Sequence, residues 1–280
     1  MATLPPDGGS PAALDEPQQP PRRASHQARD AAESFGADAA RYDRTRPGYP
    51  QELVDRIVAA SPGRAVLDVG CGTGTGARQF RAAGCTVLGV EPDPRMAELA
   101  RRGGLDVEVT TFEAWEPAGR KFDAAVAGQA WHWIDPVAGP ATAARALRPG
   151  GRLAVFWNAF QPAPGLTRAF AAVYDRVATG LPFNPFARPP LESYLLMCDR
   201  AAAAMAATGT FTGPQRWRSD WVRRYSRDEW LEQVPTFAGH GQIAPARLTE
   251  LLAGIGDAID AAGGSFVLPY ATVAVTAIRI

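Results

Sequence analysis

The chain has 280 residues, with 29 basic side chains balanced by 29 acidic ones and only three cysteines. Balanced charge leaves no broad electrostatic footprint for nucleic acid, and no apolar run approaches the roughly 20 residues of a membrane-spanning helix. The amino end lacks the charged start and apolar core of a signal peptide, and Cys71, Cys85 and Cys198 follow no metal-type or disulfide spacing, so a cytoplasmic protein with reduced thiols and no metal is expected.

Residues 1–28 are dominated by proline, glycine and small polar side chains and cannot bury enough apolar surface to fold alone, so a disordered tail is expected, with His26 solvated at its edge. Residues 35–50 then bring Phe35, Tyr42, Arg46 and Tyr49 ahead of a helix that Pro50 opens. Leu53, Val54, Ile57 and Val58 recur there at helical spacing until Ser61-Pro62-Gly63 stops it.

A short apolar strand follows and runs into an acid and three glycines, Ala65-Val66-Leu67-Asp68-Val69-Gly70-Cys71-Gly72-Thr73-Gly74, with a helix expected over residues 75–81. Glycines let the backbone turn tightly and approach a ligand where a Cβ would collide, and the helix start presents unpaired N–H groups. The spacing Gly72-x-Gly74-x-x-Ala77 also fits a loose dinucleotide fingerprint. Asp68 shifts the balance, because a carboxylate before the first glycine repels a pyrophosphate and attracts an ammonium group. S-adenosylmethionine has such an ammonium and no phosphate. The second strand, residues 86–90, ends in Glu91, placed to accept both ribose hydroxyls.

Asp93 and Pro94 cap and start a helix carrying Met96, Leu99 and Ala100 inward. Residues 106–110 read as a third strand before Thr111-Phe112-Glu113, and residues 122–128 as a fourth, buried on both faces. That strand delivers Gln129-Ala130-Trp131-His132-Trp133 to the carboxyl edge of the sheet, where open α/β sheets bind ligands. As a neutral imidazole, His132 has a pKa suited to take a proton from a hydroxyl acceptor, and Trp131 and Trp133 suit the walls of a flat or apolar pocket. A helix over 136–147, the turn Arg148-Pro149-Gly150-Gly151 and a strand over 152–157 come next. Beyond them Leu166, Phe170, Val173 and Val177 share a helix face, and residues 191–207 form another helix. Residues 215–225 alternate as a strand, with Trp217, Trp221 and Tyr225 opposite Arg216, Arg218 and Arg224 on a solvated face. Ser226 to Glu229 form a capping box, His240 lies in a loop open to a pocket or to water, Pro245 starts a helix ending at Gly263-Gly264, and residues 266–280 form a last strand.

Taken together, Val66-Leu67-Asp68-Val69-Gly70-Cys71-Gly72-Thr73-Gly74, Gly89-Val90-Glu91-Pro92-Asp93, Gln129-Ala130-Trp131-His132-Trp133-Ile134-Asp135 and Leu147-Arg148-Pro149-Gly150-Gly151-Arg152-Leu153 resemble, in order and spacing, the class I S-adenosylmethionine-dependent methyltransferases. The resemblance spans about residues 35–160. It implies a three-layer αβα sandwich around a seven-stranded, mostly parallel, Rossmann-like sheet with an antiparallel last strand. It also divides the chain into a tail (1–28), a cofactor-binding core with an amino-terminal lid (29–160), a helical pocket-shaping insertion (161–212) and the rest of the core (213–280). Cofactor contacts are then expected from Tyr42, Arg46, Asp68, Gly70, Cys71, Gly72, Thr73, Gly74, Glu91, Pro92, Phe112, Glu113, Gln129 and Ala130. Tyr49, Trp131 and Trp133 would face the acceptor and His132 would be the base. The activity implied is methyl transfer from S-adenosylmethionine to a small molecule; a non-catalytic S-adenosylmethionine binder and a nicotinamide-dependent oxidoreductase are the alternatives.

Overall fold

The computed structural model describes residues 34–177, 179–181 and 184–280, so the expected tail and His26 lie outside the described residues. β1 (Ala65–Val69) begins just after Ser61-Pro62-Gly63 and is buried along four of its five residues. It occupies the middle of the sheet, between β2 (Thr86–Glu91) and β4 (Phe122–Gly128), and runs parallel to both. β3 (Asp106–Val109) extends the sheet beyond β2, and β5 (Leu147–Phe160) beyond β4, again in parallel. β7 (Ser265–Ile278) enters antiparallel between β5 and β6 (Gln215–Ser226). The order β3-β2-β1-β4-β5-β7-β6 therefore leaves only β7 opposed to the rest. Strand order reverses between β1 and β4, which opens a crevice at their carboxyl ends.

Alternate residues of the central strands feed two apolar cores. Val66, Ala124, Val126, Ala154 and Phe156 pack with Leu53, Val54 and Ile57 of α2 (Gln51–Ala59), Ala77 and Phe80 of α3 (Thr75–Ala82), and Ala97 and Ala100 of α4 (Pro94–Arg102), which follows α3 in the chain. Leu67, Ala125, Leu153 and Val155 pack on the other face with Ala143 and Ala146 of α5 (Ala138–Ala146) and with Cys198, Ala201 and Met205 of α7 (Pro190–Ala207). Period-two alternation into two cores is what strands covered by helices on both faces require, and it makes the three layers. α1 (Ala39–Thr45) precedes these helices and lies over the crevice, with Asp38 capping it by accepting from Arg41 N.

A third cluster forms a cap. α6 (Pro164–Val177), α8 (Arg227–Gln233) and α9 (Pro245–Ala261) bury Phe170, Val173, Trp230, Leu251, Ile255 and Ile259 against Tyr225, Leu268 and Tyr270. Tyr225 and Leu268 belong to an overhang of the β6–β7 pair, which continues to Ser226↔Ser265, whereas pairing of β7 with β5 stops at Phe160↔Tyr270. The two helices expected to act as one insertion therefore part: α6 builds the cap, while α7 completes the outer layer of the sandwich. α8 and α9, expected as plain core, join α6. Arg216, Arg218 and Arg224 are exposed, and the first two pair with Asp199 and Asp220, as a solvated strand face predicts.

Candidate active site

The glycine turn leaves β1 with Gly70 at φ +64°, and Gly70 N and Cys71 N both donate to Val90 O, at 2.8 and 3.2 Å. A Cβ on Gly70 would stand 2.6 Å from Cβ of Ala130, so the loop after β1 and the loop after β4 touch only because this residue is glycine. Gly72 and Gly74 also have positive φ, and Gly74 leads α3 without a side chain of its own to cap it. Thr73 and Cys71 are buried, and burial pushes the Cys71 thiol well above its ordinary pKa, as befits a filler rather than a nucleophile.

Two buried carboxyls flank this turn. Glu91 accepts Gly72 N at Oε2 and Asp93 N at Oε1, both at 2.9 Å, while Asp68 accepts from the backbone of Ala77. Burial raises Asp68 to about 7, with Glu91 adding repulsion, and burial likewise raises Glu91 to about 7 against its two backbone hydrogen bonds. Among the described residues no basic side chain forms an ion pair with either of them. A cationic group delivered between the loops relieves this arrangement, because an opposite charge favours the ionised form. Pro92, after Glu91, is exposed at the rim.

The segment carrying Tyr42, Arg46 and Tyr49 lies across the crevice. Gln79 of α3 grips it at both backbone groups of Tyr49, accepting from N at 2.8 Å and donating to O at 2.7 Å. Asn158 Nδ2 donates to Gly48 O at 3.0 Å, and Arg78 pairs with Asp43 at 2.6 Å. On the cap side Arg44 pairs with Glu232, and Arg46 Nη2 donates to Thr236 O at 2.5 Å. The Arg46 guanidinium lies 5.0 Å from the Tyr42 ring centre and 5.2 Å from that of Phe237, its Nε is buried without a partner, and none of the described carboxylates pairs with it. Tyr49 meets Phe156 edge-on at 4.6 Å, and its hydroxyl fills the space a side chain on Gly128 would need.

After β4 the backbone makes an uncommon move: Gln129 has φ +57°, a left-handed conformation that a non-glycine residue adopts at a cost of about 1 kcal/mol or more. Its N donates to Phe156 O at 2.8 Å, its side chain donates to Asn158 O at 3.1 Å, and Tyr194 of α7 bonds to it as well. Ala130 then leads a single turn of 3-10 helix, Trp131–Trp133. Trp131 is buried against Phe112, which itself stacks on Trp115 and is 2% exposed. Phe112 and Trp131 thus back the crevice from the core. Trp133 stays half-buried beside Phe35 of the overlying segment. Glu113 is tied to the same turn, accepting Asp135 N at 2.9 Å.

His132 accepts a hydrogen bond at Nδ1 from Trp157 Nε1 at 3.1 Å. It is part-buried, and burial lowers its pKa to about 4. The proton-accepting role expected for it needs a free lone pair, and this contact occupies one. His240 does not reach water: it is 1% exposed inside the cap, with Nε2 2.7 Å from the Tyr174 hydroxyl. Sequence reasoning did not find Gln79, Trp157, Asn158 or Tyr194. For Trp157 strand alternation with Leu153 and Val155 was the available signal; for the others there was none.

The model of a family described as a methyltransferase domain matches residues 42–182, and uncharacterized methyltransferases of Mycobacterium tuberculosis and Mycobacterium bovis are each 32% identical over 229 residues, 77% of this chain and 93% of theirs. The chain belongs to the class I S-adenosylmethionine-dependent methyltransferase family. It is also similar to a malonyl-[acyl-carrier protein] O-methyltransferase of Enterobacter lignolyticus, 34% identical over 152 residues, which is 50% of this chain and 61% of that one. A solved structure from Anaeromyxobacter dehalogenans, described as a type II methyltransferase, superposes with a TM-score of 0.60 at 21% identity, covering 83% of this chain and 97% of that one, which supports the fold. Family membership makes this protein a methyltransferase. Among the described residues no helix is long and apolar enough to cross a membrane, and no cluster of three or more His, Cys, Asp or Glu could hold a metal ion.

Proposed function

We propose that this methyltransferase binds S-adenosylmethionine at the glycine turn and transfers its methyl group directly to a small-molecule acceptor beneath the cap. The observation that carries the reading is Asp68, a buried carboxyl at the end of β1 with no basic partner among the described residues, beside an uncapped glycine turn. An ammonium fits there, directly or through water, and a pyrophosphate does not. When bound, the cofactor supplies a sulfonium-activated methyl group.

The chain's own task is then to hold two partners in line and keep water out. The Gly70–Gly74 backbone, with Cys71 and Thr73 packed behind it, lines the methionine end. Tyr42 and Arg46 close over it, and the Arg46 guanidinium, which pairs with no described carboxylate, suits the ligand's carboxylate. Glu91 retains acceptor capacity for ribose hydroxyls beyond its two backbone bonds, since a carboxylate offers about four lone-pair sites. Pro92, Phe112 and Glu113 border the adenine end, and Gln129 with Ala130 closes the crevice from β4. Tyr49, Trp133 and, from behind, Trp131 shape the acceptor side.

Calorimetric titration tests this directly. Micromolar binding of S-adenosylmethionine, weakened at least tenfold by Asp68→Ala and by Glu91→Ala, or about 1.4 kcal/mol each, is the expected result. Absence of binding by the intact protein, or tighter binding of NAD, overturns it.

A further inference from the structure

Asn158 on β5 and Thr272 on β7 stand opposite each other in register, both buried, on the face of the sheet that Ala154, Phe156 and Ala274 line with apolar side chains. Polar side chains in such a face are costly unless they are bonded, and these two form the middle of a chain of hydrogen bonds. Trp221 Nε1 on β6 donates to Thr272 Oγ1 at 2.8 Å, Thr272 Oγ1 donates to Asn158 Oδ1 at 2.6 Å, and Asn158 Nδ2 donates to Gly48 O at 3.0 Å. The Trp221 ring is itself held by stacking on Tyr270, with ring centres 4.4 Å apart.

The two ends of this chain fix every hydrogen between them. An indole N–H only donates and a backbone carbonyl only accepts. The amide nitrogen of Asn158 therefore faces Gly48 and its oxygen faces Thr272, whose hydroxyl gives its proton to Asn158 and a lone pair to Trp221. Turning the Asn158 amide over would set two oxygens against each other at Gly48. Asn158 also accepts from Gln129 Nε2 at its own carbonyl, at 3.1 Å, so one residue holds both the segment over the crevice and the left-handed turn after β4. No ion pair takes part, so salt does not loosen this hold as it loosens the exposed pairs Arg44–Glu232 and Arg78–Asp43 on the same segment. A valine at 272 and a leucine at 158 would serve the apolar face as well. What the polar residues add is a hold on Gly48.

We propose that Trp221, Thr272 and Asn158 are positioning residues that form a latch, keeping the segment with Tyr42, Arg46 and Tyr49 closed over the crevice, so that the cofactor leaves no faster than the latch opens. This rests on the methyl-transfer reading above. The three residues act through Gly48, whose neighbour Tyr49 is gripped at both backbone groups by Gln79 from α3. The latch thereby ties the edge strand β6, across β7 and β5, to the segment over the donor site.

The test follows hydrogen exchange of the Tyr49 amide by NMR, and release of S-adenosylhomocysteine by stopped-flow fluorescence, both in the full chain. Thr272→Val keeps the shape of the side chain and removes its hydroxyl, whereas Thr272→Ser keeps the hydroxyl. Exchange and release should each be about three- to tenfold faster in Thr272→Val, the range of one ordinary hydrogen bond, and close to the intact chain in Thr272→Ser. Asn158→Leu should act alike, and combining it with Thr272→Val should add little, because both break the same chain. Exchange in β1 and β4 should stay as slow as in the intact chain. Equal rates in Thr272→Val and the intact chain, a serine that behaves like the valine, or effects that add fully overturn the latch. Faster exchange with unchanged release overturns its hold on the cofactor. Should the substituted chains not fold, the intact one still decides: side-chain N–H groups of Trp221 and Asn158 that exchange slowly support the chain of bonds, and exchange as fast as at the surface overturns it. Failure of the intact chain to bind S-adenosylhomocysteine counts against the methyl-transfer reading instead, since exchange reads the latch without ligand.

Discussion

Asp68 and Glu91 are two acids placed where neither ionises easily, both raised to about 7 by burial. A ligand ammonium needs Asp68 ionised, and below pH 7 a proton competes for the same oxygens. Affinity for S-adenosylmethionine should therefore fall as pH drops from 8 to 6, by up to about tenfold per pH unit for each proton displaced, while Asp68→Asn binds weakly with a flatter profile; calorimetry across that range checks it. Gly70→Ala should be worse than an ordinary surface change. It places a Cβ against Ala130 and forces a left-handed conformation, so a loss of about 1–3 kcal/mol in denaturant unfolding, together with loss of binding, is expected. These residues were legible because strand, acid and glycines are contiguous and their spacing alone restricts the ligand. The state of His132 was not legible, since it depends on an indole 25 residues away that only the pairing of β4 with β5 brings alongside.

Among the elements, the segment over the crevice shows how a short stretch is held down. Its exposed ion pairs, Arg44 with Glu232 and Arg78 with Asp43, contribute little in water, typically 0–1 kcal/mol each. The grip of Gln79 on both backbone groups of Tyr49 matters more, because losing it strands a part-buried donor and acceptor together. Gln79→Ala should accelerate hydrogen exchange across residues 46–50 while protection in β1 and β4 is unchanged. Helix starts were well read, the Ser226–Glu229 capping box and the Asp93-Pro94 start appearing as expected, because caps are local. The start of α5 was misplaced by two residues: Asp135 accepts from Val137 N and Ala138 N and delays it to Ala138.

For the molecule as a whole, the division of labour between α6 and α7 could not be read from sequence. Both are amphipathic, and nothing local says that Phe170 faces Trp230 of α8 while Cys198 faces the sheet. Phe170→Ala should remove about 3–5 kcal/mol from unfolding free energy by opening a cavity in the cap, measured by denaturant titration, with the β1–β4 crevice otherwise retained. The sheet carries another consequence, for how the protein is made. β5 finds its second neighbour, and β6 its first, only once β7, later in the chain than both, has been made. A nascent chain stalled before residue 265 has an open edge on its longest parallel strand and a twelve-residue strand with nothing to pair with. Such a chain is a template for sticking to its neighbours on the polysome, so premature termination should yield aggregate rather than a smaller working enzyme.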